Sequence, residues 1–190
     1  LDVTSYGQYG WATTVPVTNM AEALKVKIRI AEAPVNKAIY KAWGFNPVAM
    51  PWPDVPTALK QGVIEGLDHT DLVCYIDKKF DTAKHYTTLN YAMGLFIWIF
   101  NENWLNSLPA DLKATFIKTV KDQCAKYRAM TIKQAEDAAK DAIAKDGVTY
   151  HKLSEADYKK LREMGDVVHK EFEGKIGADY LKEVQTFLNY

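Results

Sequence analysis

Between residues 25 and 70 the chain switches repeatedly between two hydrophobic periods. Lys25 to Ile30 alternates polar and apolar at every step, with Val26, Ile28 and Ile30 on one face and Lys25, Lys27 and Arg29 on the other. Period two predicts a strand. Pro34 to Trp43 then places Val35, Ala38, Ile39 and Ala42 at helical spacing and stops at Gly44, a residue suited to a left-handed cap. Pro47 to Met50 reads as a short strand that Pro51-Trp52-Pro53 cannot continue. Asp54 is a good N-cap, Pro56 fits the first turn, and Gly62 follows the helix. Val63 to Leu67 is the next strand. Strand, helix, strand, helix, strand predicts an α/β fold with a parallel sheet and right-handed crossovers. The strands end at Arg29, at Trp52 and at Asp68-His69. In an open α/β sheet, ligands sit beyond the carboxyl ends of the strands. An arginine, an indole and an Asp-His pair meeting there would hold a small anion.

The flanks extend this plan. Leu1 to Tyr6 reads as a strand, Gly7 and Gly10 as a loop presenting Tyr9 and Trp11, and Ala12 to Val17 as a further extended piece. Thr18-Asn19 caps a short helix to Leu24. Asp71 to Phe80 is a helix with Leu72, Tyr75, Ile76 and Phe80 facing in. Lys84 to Asn90 and Tyr91 to Phe100 are two strands, the second apolar on both faces and therefore expected at the centre of the sheet. From Ser107-Leu108-Pro109 a helix runs without a breaker to Asp146, where Gly147 ends it. Its stripe Leu112, Phe116, Val120, Cys124, Tyr127 reads as core. At 1.5 Å per residue it would reach about 55 Å, so it must bridge two bodies or bend. Val148 to Leu153 is a strand, and Ser154-x-x-Asp157 resembles a capping box. The helix after it, with Tyr158, Leu161, Val168 and Phe172, ends near Gly174. Asp179 to Leu188 is a last amphipathic helix.

Composition narrows the partners. The 190 residues are 48% hydrophobic, enough for a core, and carry 24 basic against 24 acidic side chains, a net charge of +0. Nothing in that balance favours nucleic acid or an anionic membrane. No apolar run reaches the ~20 residues that span a bilayer. Leu1-Asp2-Val3-Thr4 resembles the middle of a strand rather than a natural start. Cys74 and Cys124 fall in helical patterns and read as buried thiols, with a disulfide left open.

Catalytic signatures are absent. The chain has no phosphate-cradling glycine loop, no GxSxG and no HExxH. Its histidines, at 69, 85, 151 and 169, lack metal-ligand spacing, so neither a metal nor another cofactor is expected. Ser5, Ser107 and Ser154 are the few serines, and the last two read as helix caps. Binding without catalysis is the favoured reading. The alternatives are an α/β enzyme using Asp68 and His69 as an acid-base pair, and a scaffold in which the long helix binds a partner. Arg29 itself has two readings: a surface arginine on a polar strand face, or a bidentate clamp for a carboxylate. Trp52 could cover the core or a ligand, and His69 could be a satisfied polar residue at a strand end.

From Trp11 to about Gly147 the chain resembles the solute-binding subunits of tripartite ATP-independent periplasmic (TRAP) transporters, the DctP type. The resemblance rests on Lys27-Ile28-Arg29, Gly44, the run Pro47 to Val55, the run Ala58 to Gly66, Lys79-Phe80, and Leu105 to Leu112. It implies a periplasmic-binding-protein-like α/β lobe with a mostly parallel sheet flanked by helices, plus a long lobe-spanning helix. It implies a protein of the periplasm that closes on a small organic acid, aromatic acids included, and passes it to a membrane permease. Arg29 would anchor the carboxylate, Trp52 would line the cleft, and His69 would take a polar position often held by Asn. Asp68, Tyr9, Trp11 and Tyr91 complete the expected ligand set. The chain departs from the family at Leu67-Asp68-His69-Thr70, at Lys25 and Ala31, and at Tyr9, where some members place a second basic residue. Aromatic Tyr9, Trp11 and Trp52 in place of extra charge suggest a less polar ligand than a sugar acid. Residues 1–93 would be the second ligand-binding lobe, 94–134 the crossing segment and first part of the long helix, and 135–190 the return to that lobe, the first lobe preceding this chain.

Overall fold

The computed structural model describes residues 2–187. Leu1 and Leu188, expected at the ends of the first strand and last helix, lie outside them. Six strands form one sheet in the order β3-β2-β4-β1-β5-β6. They are β1 (Asp2–Thr13), β2 (Ile28–Ile30), β3 (Val48–Ala49), β4 (Gly66–Thr70), β5 (His85–Trp98) and β6 (Thr149–Lys152). β2 is parallel to β3 and β4, and β5 to β6, while β1 is antiparallel to both its neighbours. Five strands therefore run one way and β1 runs against them. The sheet is mixed but mostly parallel, flanked by α1 (Met20–Ala23), α2 (Pro34–Ala42), α3 (Val55–Lys60), α4 (Asp71–Ile76), α5 (Glu102–Ser107), α6 (Ala110–Asp146), α7 (Glu155–Ile176) and α8 (Ala178–Phe187).

Local chemistry accounts for most boundaries. Asn19 accepts from the Glu22 N–H and starts α1. Gly44 and Gly147 take positive φ, 89° and 67°, and end α2 and α6 as expected. Ser154 accepts from the Asp157 N–H at 3.1 Å and caps α7, but it is the Ser154 hydroxyl that donates to Asp157 Oδ2, at 3.0 Å, and not its backbone N–H as in a full capping box. Asp54, by contrast, sits before α3 without a capping hydrogen bond. α7 runs through Gly174 and stops at Gly177, the glycine that adopts a positive φ of 94°.

Several expected elements are redrawn. Gly7 and Gly10 do not make a loop. They are bulge positions in one continuous β1, where the pairing with β5 shifts register. A Cβ on Gly10 would lie 2.5 Å from the Thr87 carbonyl, so glycine there permits β5 to approach. β1 ends at Thr13 rather than continuing to Val17. β4 starts three residues late, because Gly62 (φ 69°) opens a turn that leaves Val63 half exposed, and Gly66 packs tightly on Ala12 and Thr13. Asp68 and His69 consequently lie inside β4, not after it. α4 ends at Ile76, which is exposed, and Lys78 reverses the chain with φ 57°. The two strands expected on either side of Asn90 are one strand, with Asn90 itself at φ 56°.

One core fills each face of the sheet. Trp11, Ile28, Ile30, Tyr40, Trp43 and Leu161 belong to one, under α2 and α7. Ala12, Leu59, Ile64, Leu67, Phe80 and Ala142 belong to the other, under α3, α4 and the end of α6. The remaining apolar stretch does not join either. Residues 95–100 are exposed, against the expectation of a central strand, because the second half of β5 pairs with β1 alone. The stripe on α6 is likewise buried only in part: Cys124 is covered while Leu112 is 54% exposed. No helix among the described residues is long and apolar enough to cross a membrane.

Candidate functional site

The site is built on β2 and β4. Because β2 is flanked by β3 and β4, Arg29 has no polar face to occupy and is 4% exposed, not the surface arginine that alternation alone allowed. Its Nε and Nη2 both donate to the Met50 carbonyl, at 2.9 and 2.6 Å, where Pro51 stops β3. Among the described residues no carboxylate comes within 4.0 Å of the guanidinium. Burial lowers its proton affinity, opposed by the field of Asp68, Tyr9 and Glu32. An arginine remains charged under such a shift.

Asp68 lies on the opposite face of the sheet. Arg29 pairs with Leu67, and successive strand residues alternate faces, so Asp68 turns the other way, beside its partner Trp11. It is 2% exposed. Tyr91 Oη donates to its Oδ2 at 2.6 Å, and its Oδ1 has no hydrogen-bond partner among the described residues. Burial pushes its pKa up to about 7, against the pull of the Tyr91 and Tyr40 hydroxyls and the Arg29 charge. Tyr40 in turn accepts from Trp11 Nε1 at 2.7 Å. Trp11 has no exposed surface and serves as core, linked to the site through Tyr40 and through its pairing with Asp68.

His69 returns to the Arg29 face. Its Nδ1 accepts from the Thr70 N–H at 2.9 Å, which leaves the ring proton on Nε2. The ring stacks on Tyr9 at 5.1 Å and packs on Trp52 at 4.6 Å. Burial first, and the charges of Arg29 and Lys79 after it, hold its pKa down to about 4. The imidazole is therefore neutral near pH 7. The Asp68-His69 acid-base pair does not form. The two side chains sit on opposite faces, one bonded to Tyr91 and the other to its own backbone.

Trp52 is half-buried in a short turn, Trp52–Asp54, between two prolines. Its Nε1 donates to Asp77 Oδ2 at 2.7 Å, and Lys79 and Arg29 lie 4.4 and 5.3 Å from its ring centroid. Tyr9 joins the two groups of residues, stacked on His69 and edge-on to Tyr91 at 6.2 Å. Its hydroxyl is 3.1 Å from that of Tyr6, and burial raises its pKa. The expected set thus divides into Arg29, Trp52 and His69 on one face, and Asp68, Tyr91 and Trp11 on the other, with Tyr9 between. Sequence reasoning missed Tyr6, Tyr40, Asp77 and Lys79. Only Lys79 carried a signal, as part of Lys79-Phe80. A cavity of about 700 Å³ lies apart from Arg29, between α2, residues 89–91 and α7, and Tyr91 borders it.

Residues 1–175 match the family model described as bacterial extracellular solute-binding protein, family 7 (DctP). The chain is 25% identical over 191 residues to the 2,3-diketo-L-gulonate-binding periplasmic protein of Escherichia coli, covering 97% of this chain and 57% of the relative. It is 26% identical over 176 residues to the C4-dicarboxylate-binding periplasmic protein DctP of Rhodobacter capsulatus, covering 92% of this chain and 53% of the relative. The chain thus spans just over half the length of these relatives. In fold it is similar to a TRAP periplasmic solute-binding protein from Shewanella oneidensis solved with bound succinate, with a TM-score of 0.87 and 21% identity over 96% of this chain and 60% of that one.

Proposed function

The chain belongs to the DctP family of bacterial extracellular solute-binding proteins, and we propose that it supplies one ligand-binding lobe of a periplasmic protein that captures a small organic acid for a TRAP permease. The observation that carries this reading is Arg29: a guanidinium 4% exposed, at the carboxyl end of its strand, with a carbonyl but, among the described residues, no carboxylate as partner. A buried charge left in that state calls for an anion. Arg29 anchors the ligand carboxylate, Trp52 and Tyr9 wall its body, and His69 gives a neutral polar contact through Nε2. Asp68 and Tyr91 support the floor from the other face. The relatives named as binding diketogulonate and C4-dicarboxylates support an organic acid as the cargo.

Residues 1–93 form the second lobe in this reading, 94–134 cross to a first lobe, and 135–190 return. The bare apolar surface of residues 95–100 and Leu112 supports it, since a first lobe would cover it. Closure of the lobes would bend β1 and β5 where both are irregular, at Gly7 (φ 115°) and Asn90 (φ 56°). Mass spectrometry of acids retained by the intact protein tests the reading. A retained acid recovered unchanged after long incubation is the expected result, with a smaller radius of gyration in its presence. Chemical turnover of the acid would exclude a binding protein, and an unchanged radius at saturation would exclude closure.

A further inference from the structure

Prolines 51 and 53 fix the backbone around Trp52 but leave the indole free to turn about its side-chain bonds. Three side chains from elsewhere settle its orientation. Asp77 Oδ2 takes the indole N–H at 2.7 Å, Lys79 Nζ stands 4.4 Å from the ring centroid, and the His69 ring packs at 4.6 Å. Asp77 and Lys79 reach the ring because Lys78 between them is left-handed, at φ 57°. That conformation is uncommon for a residue with a side chain and is held only where the surroundings require it. Lys79 is 5% exposed, and its ammonium bonds the Asp77 carbonyl at 3.2 Å. Among the described residues it has no carboxylate within 4.0 Å. A buried ammonium needs compensation, and the indole face provides it.

We propose that Asp77 and Lys79 are positioning residues that set the plane of the Trp52 indole, so that the site presents a fixed wall to the uncharged body of an acid. The proposal rests on the reading of Trp52 as part of the ligand site. It also excludes a ligand class. Arg29 and Lys79 both already draw on this ring. A cationic ligand group would gain little from it and would meet two like charges. The wall therefore favours simple acids over zwitterions with a cationic end.

The test uses the intact protein labelled with 5-fluorotryptophan, with Trp52→Phe assigning the Trp52 fluorine resonance. Asp77→Ala and Lys79→Met should shift and broaden that resonance. Asp77→Asn, which keeps an acceptor oxygen, and Lys79→Arg, which keeps the cation, should leave it in place. Calorimetry with butyrate, succinate and benzoate adds the link to binding: the tightest of these should weaken about tenfold in Asp77→Ala and less than about threefold in Asp77→Asn. A resonance unmoved by both disruptive variants, or not retained by either conservative one, overturns the positioning role. A moved resonance with unchanged affinity overturns its connection to the site. If the unsubstituted protein binds none of the three acids, the acid-binding reading fails while the fluorine spectra still decide the positioning role.

Discussion

Ile28 and Ile30 have no exposed surface, whereas Ile97 and Ile99 are 66% and 77% exposed. One pair belongs to an alternating run and the other to an apolar one, both strand-forming, and the isoleucine side chains themselves do not distinguish them. Their neighbours do. β2 has a strand on each side and a core on its other face, so even the arginine between the two isoleucines is covered. β5 beyond Met93 has β1 on one side and, among the described residues, no strand on the other. The lesson is that an apolar run records a need for cover, not the identity of the cover. The region around β2 satisfies that need within the described residues. Residues 95–100 do not, and the shortfall falls in a chain just over half as long as its relatives.

The strongest way to break this comparison is at Arg29. If its cover exists to hold a ligand anion in a dry cleft, Arg29→Ala leaves that anion buried and unpaired. Affinity for the retained acid should fall by an amount on the order of 2–5 kcal/mol, roughly 30-fold to several thousand-fold. Arg29→Lys keeps the charge without the planar fork and should recover part of the loss. Calorimetry on the intact, folded variants decides it: a loss under about threefold for Arg29→Ala would place the anchor elsewhere.

A second contrast separates the two regions by stability. Ile30→Ala opens a cavity in a finished core and should cost about 2–5 kcal/mol in any context. Ile97→Ala should cost under about 0.5 kcal/mol in residues 1–190 alone, where the side chain is mostly in solvent. In the intact protein the same change should cost about 1–3 kcal/mol, if a first lobe covers it. Denaturant midpoints for both variants in both lengths check this. Equal effects of Ile97→Ala in the two lengths would mean that the bare strip stays bare.

What could be read from the sequence follows the same division. Periodicity placed α2, α3 and, in the second half of its alternating run, β2, whose patterns are met by neighbours within the described residues, and the lack of a breaker placed α6, whose apolar stripe is covered only in part. It misjudged residues 91–100, whose burial depends on partners that periodicity does not name. Positions were harder than elements. Arg29, Trp52 and His69 do share one face, but Asp68 was expected beside His69, and a strand boundary moved by three residues sent it to the other. Tyr40 and Asp77 gave no signal, since each acts through contacts distant in sequence, Trp11 and Tyr91 for one and Trp52 for the other.

The smallest expected effect comes from His69 and Asp68, because their contributions oppose each other. Burial holds the His69 pKa at about 4, against an ordinary 6.5. Between those values the unfolded chain binds the proton that the folded one refuses, so stability falls as pH drops through the window. Asp68 is shifted the other way, from 3.8 to about 7. Across that range the folded state keeps a proton that the unfolded state has lost, so stability falls as pH rises. Either group alone could contribute a slope of up to about 1.4 kcal/mol per pH unit. Together they should nearly cancel between about pH 4 and 6.5, giving a shallow profile. Asp68→Asn should expose the His69 slope, with stability rising with pH up to about 6.5 and flat above. His69→Asn should expose the Asp68 slope, with stability falling as pH rises to about 7. Urea midpoints of the intact protein and both variants, at about pH 4.5, 5.5 and 6.5, measure these slopes. Three parallel profiles would mean that neither group is desolvated, and the covered region would then lose its distinction from the bare one at the two residues where that distinction is chemical.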